Sequence, residues 1–450
     1  MERVLPKTLD YTDVLPLAVE SKARRRTFFP TNGATFVSDG ANIIRIDLSA
    51  DALLDTQHSY LRFTYTGPAG NNSAIDFAGG HSFIRRLRIE QSGTVLEDIQ
   101  SYNRLMGAIV LPCQSGYDHK ATRTLTEAIK GDGAQDGSIQ VATVNTAADG
   151  ASTLRNIGLG NNFQTQFGNG ANYTFCIPLT SGLLNCEKLV PLMLMSAPLT
   201  VEIELANEVQ AIVQNGAATS YQISDVRYVA NLVEVGADVS QQLRMLQEVS
   251  GGVLTLAGQT YRHFTGAVAN VVSNTINVPA RCKSIKSIFF ASQGAGADAR
   301  TTFDLGTGGH MNLSEYQIKI GSVTYPPTPV RCNSLAVGST SEPLMELEKA
   351  WGNVGSRAGL GSQTQLATFY SQESARATHG QVYRFAPFGL DMEAFQRVAI
   401  ESGVNTADRS LPISLILDSN PAPQATTLDI FVLADALFYI NQDGSMSVSV

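Results

Sequence analysis

The nineteen residues Leu87–Leu105, LRIEQSGTVLEDIQSYNRL, settle the fold class. Leu87 and Ile89 alternate with Arg88 and Glu90, which is the two-residue period of a half-buried strand. Gln91-Ser92-Gly93 then reads as a tight turn. A second short strand runs back and ends in Ser-Tyr-Asn-Arg-Leu. Much further on, IKIGSVTYPPTPVRCNSL (Ile318–Leu335) repeats this plan of strand, glycine turn and returning strand, and it too closes on Asn-x-Leu.

The echo extends outward in order. NIIRIDL (Asn42–Leu48) has a counterpart in NTINVPA (Asn274–Ala280), and SYLRFTY (Ser59–Tyr65) in SIKSIFF (Ser284–Phe290). YTFCIP (Tyr173–Pro178) matches YRFAP (Tyr383–Pro387), and LTVEIEL (Leu199–Leu205) matches LPISLIL (Leu411–Leu417). YVANLVEV (Tyr228–Val235) resembles VLADALFYI (Val432–Ile440). Strands resemble strands, so each pair alone is weak evidence. Six pairs in one order mark an internal duplication.

Between the halves the spacing predicts a helix from Asp238 to Val249. Asp238 is placed to cap it, Gln241 to reach back to the cap, and Val239, Leu243 and Leu246 to share one face. Gly251-Gly252 stops it. The expected organisation is an N-terminal arm over 1–27, a first domain over 28–237, a helical linker over 238–252 and a second domain over 253–450. The first domain carries an insertion, 131–172, rich in Gly, Asn, Thr and Ala, with Ile139, Val141, Val144, Leu154, Ile157 and Leu159 to fasten it as a loop at one end of the sandwich. In the second half a helix from Pro343 to Trp351, with Leu344, Leu347 and Trp351 on one face, fills the equivalent place, and Trp351 reads as a packing anchor. About eight strands per half and no α/β alternation predict an all-β protein of two tandem eight-stranded jelly rolls with few short helices.

Composition agrees. The chain has 450 residues, enough for two cores, and 43% of them are hydrophobic. Charged residues make up only 16%, against roughly 25% in a typical soluble protein. A surface that poor in charge is either uncharged and polar or covered in an assembly. The net charge of -8 lacks the basic excess of a general nucleic-acid binder. Five cysteines, without CxxC spacing, read as buried thiols of a reducing compartment. The first 20 residues hold charges and no apolar core, so cytosolic synthesis is expected and the sequons at Asn71, Asn172 and Asn312 read as chance. No apolar run approaches the roughly 20 residues of a membrane span.

Motifs for chemistry are missing. There is no G-x-S-x-G elbow, no phosphate loop, and GTGGH (Gly306–His310) reads as a turn. The histidines His58, His81, His119, His263, His310 and His379 lack metal-ligand spacing, so no metal and no cofactor are expected. Glu202 and Glu204 share one strand face, whereas catalytic carboxylates oppose each other across a cleft; a solvated or intersubunit face is expected. The reading is of a protein that is not an enzyme. The remaining feature is Arg24-Arg25-Arg26, preceded by Val14, Leu15, Leu17 and Val19. It reads as a solvated cluster or as part of an arm with interior-facing contacts to a minor protein, an internal membrane or the genome.

Three segments carry a family likeness: Leu87–Leu105, FCIPLTSGLLNCEKLVPLMLMSAPLTVEIEL (Phe175–Leu205) and VYRFAPFGLDMEAFQRVAIESGVNT (Val382–Thr406). In them the chain resembles the double jelly-roll major capsid proteins of eukaryotic DNA viruses, the lineage of nucleocytoplasmic large DNA viruses, virophages and polinton-like viruses. The resemblance implies a structural protein of the virion. It implies a homotrimer with a pseudo-hexagonal outline that tiles an icosahedral shell, meeting neighbouring trimers, penton and minor capsid proteins, with no specific nucleic-acid recognition. The insertion 131–172 would then face outward. A carbohydrate-binding sandwich protein is the alternative and a β-sandwich glycosidase the third reading.

Overall fold

The computed structural model describes residues 20–68, 73–75, 78–114, 126–127, 166–167, 172–214, 220–293, 305, 311–332, 341–352, 387–394, 400–408 and 411–450. Among the described residues, alternating sequence becomes strand. The first half forms β1 (Ser21–Phe28), β2 (Thr35–Val37), β3 (Ile43–Leu48), β4 (Leu53–Thr66), β5 (Ser73–Ile75), β6 (Ile84–Gln91), β7 (Thr94–Gln100), β8 (Gln166–Phe167), β9 (Asn172–Ile177), β10 (Val190–Pro191), β11 (Leu199–Leu205), β12 (Ile212–Gln214) and β13 (Gln222–Val235). The second half forms β14 (Val253–Val268), β15 (Ser273–Asn277), β16 (Ile285–Ser292), β17 (Leu313–Ile320), β18 (Val323–Arg331), β19 (Phe388–Asp391), β20 (Ile413–Ser419), β21 (Thr426–Asn441) and β22 (Met446–Ser449).

Each half is a jelly roll. In the second, one sheet runs β14-β21-β16-β19 and the other β15-β20-β17-β18. In the first, β1-β13-β4-β9 faces β3-β11-β6-β7, with β2 and β10 added and β12-β5-β8 a small third sheet. Counting along the chain, β1, β3, β4, β6, β7, β9, β11 and β13 occupy the places of β14 to β21. The expected duplication is therefore real: five of the six sequence pairs fall on equivalent strands. In the sixth, Tyr383–Ala386 lie outside the described residues and β19 follows directly after.

The pleat explains the alternation. On β11, Leu199, Val201, Ile203 and Leu205 point inward and are buried, opposite Leu61, Phe63 and Tyr65 of β4. Phe63 stacks on Phe175 at 5.2 Å and meets Phe83 edge-on at 5.8 Å. Burying each such side chain contributes roughly 1.5–3 kcal/mol. Strand β16 breaks the alternation, because all eight residues of IKSIFFAS are buried. Its two faces pack against different cores: Phe289 and Ala291 belong to the first, Ile288 and Phe290 to the second. Three prolines, Pro326, Pro327 and Pro329, sit in β18, an edge strand where a missing N–H costs no sheet pairing.

Two expectations are corrected. The linker helix runs Ala237–Val249 and its cap is Gly236, whose carbonyl accepts from the amides of Val239 and Ser240; Asp238 lies in the first turn and makes no cap bond. The covered stripe is also rotated. Gln247 is buried and donates to the Ile440 carbonyl, while Leu246 is 54% exposed. A buried amide with a carbonyl in reach overrode the apolar spacing. Second, residues 21–27, expected in the arm, belong to strand β1, which runs on to Phe28. Ser21 pairs with Val235 and Phe28 with Tyr228. The Ser341–Ala350 helix buries Leu347, and Trp351 just beyond it stacks on Phe289 at 4.5 Å.

Candidate functional site

The densest polar structure lies where the two jelly rolls meet. After β7 the chain turns through Ser101 into a helical stretch, Tyr102–Arg104, which continues to Gln114 with a π-helical middle. That turn sends Arg104 into the second domain. Its Nε donates to Asp429 Oδ2 at 3.0 Å, and its terminal nitrogens donate to the carbonyls of Leu305 at 2.7 Å and Ser292 at 2.8 Å. Asp429, on β21, also meets His263 Nε2 at 2.9 Å and the amide of Gln293 at 3.0 Å. Burial alone would raise the Asp429 carboxyl. The His263 hydrogen bond, the Arg104 charge and Gln293 outweigh it and hold the group below its ordinary 3.8.

Glu97, on β7, anchors a second bridge. It accepts from Ser181 Oγ at 2.5 Å and the Gly182 amide at 2.8 Å within its own domain, and from Thr260 Oγ1 at 2.7 Å across the junction. Burial pushes this carboxyl upward, and the donors only partly offset it. Beside it the backbones touch: a Cβ on Gly258 would stand 2.2 Å from the Gly182 carbonyl oxygen. At the far end Gln91 donates to the carbonyls of Ala197 and Gly444, both at 3.1 Å, and accepts from the Met446 amide at 2.6 Å. Apolar packing joins these bridges, since the first core takes in Leu256, Tyr261, Phe431, Phe438 and Ile440 of the second domain. The arrangement clamps two sandwiches into one block.

The residues singled out in the sequence lie elsewhere. Arg24, Arg25 and Arg26 are exposed on β1, the edge of its sheet. Arg24 pairs with Glu234 at 2.7 Å, Arg25 donates to the Tyr60 hydroxyl at 3.2 Å, and Arg26 lies 4.8 Å over the Phe28 ring. Residues 1–19 fall outside the described residues, as does nearly all of the 131–172 insertion. Glu202 and Glu204 face outward on β11 and are paired, Glu202 with Arg45 at 2.8 Å and Glu204 with Arg85 at 3.3 Å. Glu202 is itself buried, covered by Arg45 and by Arg88 at 3.7 Å, and Glu204 is half-buried, so the two belong to a rung of ion pairs across the outer face of the sheet. His81 is a satisfied core residue between Tyr102 and Glu127, both at 3.2 Å. His119, His310, His379 and the GTGGH segment lie outside the described residues. Burial raises the thiols of Cys176, Cys186, Cys282 and Cys332, away from the reactive thiolate. Among the described residues no three His, Cys, Asp or Glu are placed to hold a metal, and no helix is long and apolar enough to cross a membrane.

Sequence reasoning missed the junction. Glu97 and Arg104 stand inside the quoted 87–105 segment, but their partners Thr260 and Asp429 are more than 160 residues away.

No protein-family model and no curated protein matches the sequence. Solved structures do match over nearly the whole chain. The Faustovirus major capsid protein is 9% identical, with a TM-score of 0.60, covering 98% of this chain and 93% of that one. The PBCV-1 virus capsid structure gives 12% identity, a TM-score of 0.59 and coverage of 98% and 99%. The mavirus major capsid protein gives 10%, 0.54, and 99% and 93%. The chain has the double jelly-roll fold that these proteins share.

Proposed function

We propose that the chain is a structural protein of an icosahedral virus shell, a major capsid protein that works as a trimer. One observation carries the reading: both sandwiches, in order, align over 98% of the chain with a major capsid protein of nearly the same extent. The clamp described above supports it. A shell unit must transmit force between its halves without hinging, and buried bridges with backbone contact do that. Two similar sandwiches per chain, repeated about a threefold axis, present six similar edges, so a trimer can tile as a hexagon. The low charge of the chain suits surfaces covered by neighbours.

On this reading the edge strand β1, with Ser21 to Arg26 exposed, belongs to the surfaces that meet other subunits, and residues 1–19 form the arm that reaches minor proteins or an inner membrane. No catalytic role is assigned. The test is the mass of the purified chain in solution together with its outline in negative stain. Hexagonal particles of trimeric mass support the reading. A monomer retained on immobilised glycans would support the sugar-binding alternative.

A further inference from the structure

Strands β16 and β21 lie side by side, and their register shifts between Ile285 and Ser287, at Lys286. The Lys286 side chain is turned into the second domain and is only 6% exposed. Its Nζ lies 2.9 Å from Glu393 Oε1 and 3.3 Å from Asp435 Oδ1, and both carboxylates are 7% exposed. The other oxygen of Asp435 is held from a different direction. Oδ2 accepts from Ser284 Oγ at 2.8 Å and from the Glu401 amide at 2.9 Å. Ser402 Oγ donates to Glu393 at 2.5 Å.

The loop that supplies these donors is tightly fixed. Glu401 has φ of +58°, a conformation unfavourable for a residue with a Cβ. Gly403 donates to Ser284 Oγ at 3.0 Å, and a Cβ there would stand 2.3 Å from the Ile285 carbonyl oxygen. One ammonium set against two carboxylates away from water is a costly way to build an ion pair. It is, however, the complete equipment for making an amide: an amine, an acceptor carboxyl, a second carboxyl touching the amine, and two donors on the oxygen that must stay.

We propose that Lys286 and Asp435 condense into an intramolecular isopeptide bond, with Glu393 as the proton relay. Glu393 passes a proton from the Lys286 ammonium to Oδ1 of Asp435, leaving a neutral amine beside a neutral carboxyl. Nζ attacks Cγ, and the charge that gathers on Oδ2 is held by the Ser284 hydroxyl and the Glu401 N–H. Glu393 takes a second proton from Nζ and delivers it to Oδ1. The Cγ–Oδ1 bond breaks, water leaves, and Glu393 is a carboxylate again. Ammonium plus carboxylate gives amide plus water, so no oxidant or co-reactant is needed. The bond would tie β16 to β21 covalently, and it stands independently of the shell reading.

The experiment is an intact mass measurement on the folded full chain, followed by a peptide map. The wild type should be lighter than its sequence by one water, about 18 Da, with a branched peptide joining the Lys286 and Asp435 segments. Lys286→Arg keeps the cation and Glu393→Gln removes the relay; both should fold, by circular dichroism, at full sequence mass. A folded wild-type chain at full mass after prolonged incubation, with no branched peptide, overturns the proposal. So does a loss of water that persists in Lys286→Arg.

Discussion

At the residue scale the sharpest consequences belong to Arg104 and Asp429. Removing one partner of a buried ion pair costs up to about 3–5 kcal/mol, and His263 and Gln293, which still reach Asp429, offset part of that here. Arg104→Ala should therefore lower the melting temperature by many degrees, measured by differential scanning calorimetry at neutral pH. The pH dependence has a defined sign. The Asp429 carboxyl sits below its ordinary 3.8 in the folded chain, so its contribution is present above that value and is lost as pH falls through the folded value beneath it. The gap between wild type and Arg104→Ala should hold from neutrality down to about pH 4 and narrow below it. A constant gap would assign the stabilisation to packing alone. Gly258 gives a second test. A Cβ there meets the Gly182 carbonyl oxygen at 2.2 Å, both backbones being fixed in the junction, so Gly258→Ala should destabilise by at least the roughly 1–3 kcal/mol of an overpacked core.

At the scale of elements, truncation separates the arm from the strand. Removing residues 1–19 leaves β1 intact and should give folded trimers that fail to assemble shells. Removing 1–28 strips β1 from β13 and exposes the apolar edge around Tyr228, so that variant should lose soluble expression. Normal particles from the shorter truncation would contradict the role of the arm. The same contrast shows what the sequence made legible. Strands with one face in a core, such as β3, β6 and β11, print their pleat as alternation and were readable with their duplicates. Strand β1, SKARRRTF, has solvent on both sides along most of its length and no period to read. The linker helix was readable in extent but not in orientation, because Gln247 is a polar residue buried by a single carbonyl partner. The Lys286, Glu393 and Asp435 group and the Glu97 and Arg104 bridges were unreadable for a simpler reason: no local spacing links residues brought together by sheet topology.

For the whole molecule, the decisive feature is that the cores are not one per domain. The first core includes Leu256, Tyr261, Phe431 and Phe438, so separating the sandwiches would expose apolar surface on both. Thermal unfolding of the isolated chain should accordingly be a single cooperative transition; two well-separated transitions would show sandwiches that stand apart. On the proposed reading, the rigid pair lets six sandwiches be arranged about one threefold axis, and that proposal has a direct measurement. Analytical ultracentrifugation of the purified full chain at micromolar concentration should give a species of three times 48.2 kDa with no dissociation on dilution. A stable monomer of 48.2 kDa under the same conditions would contradict it.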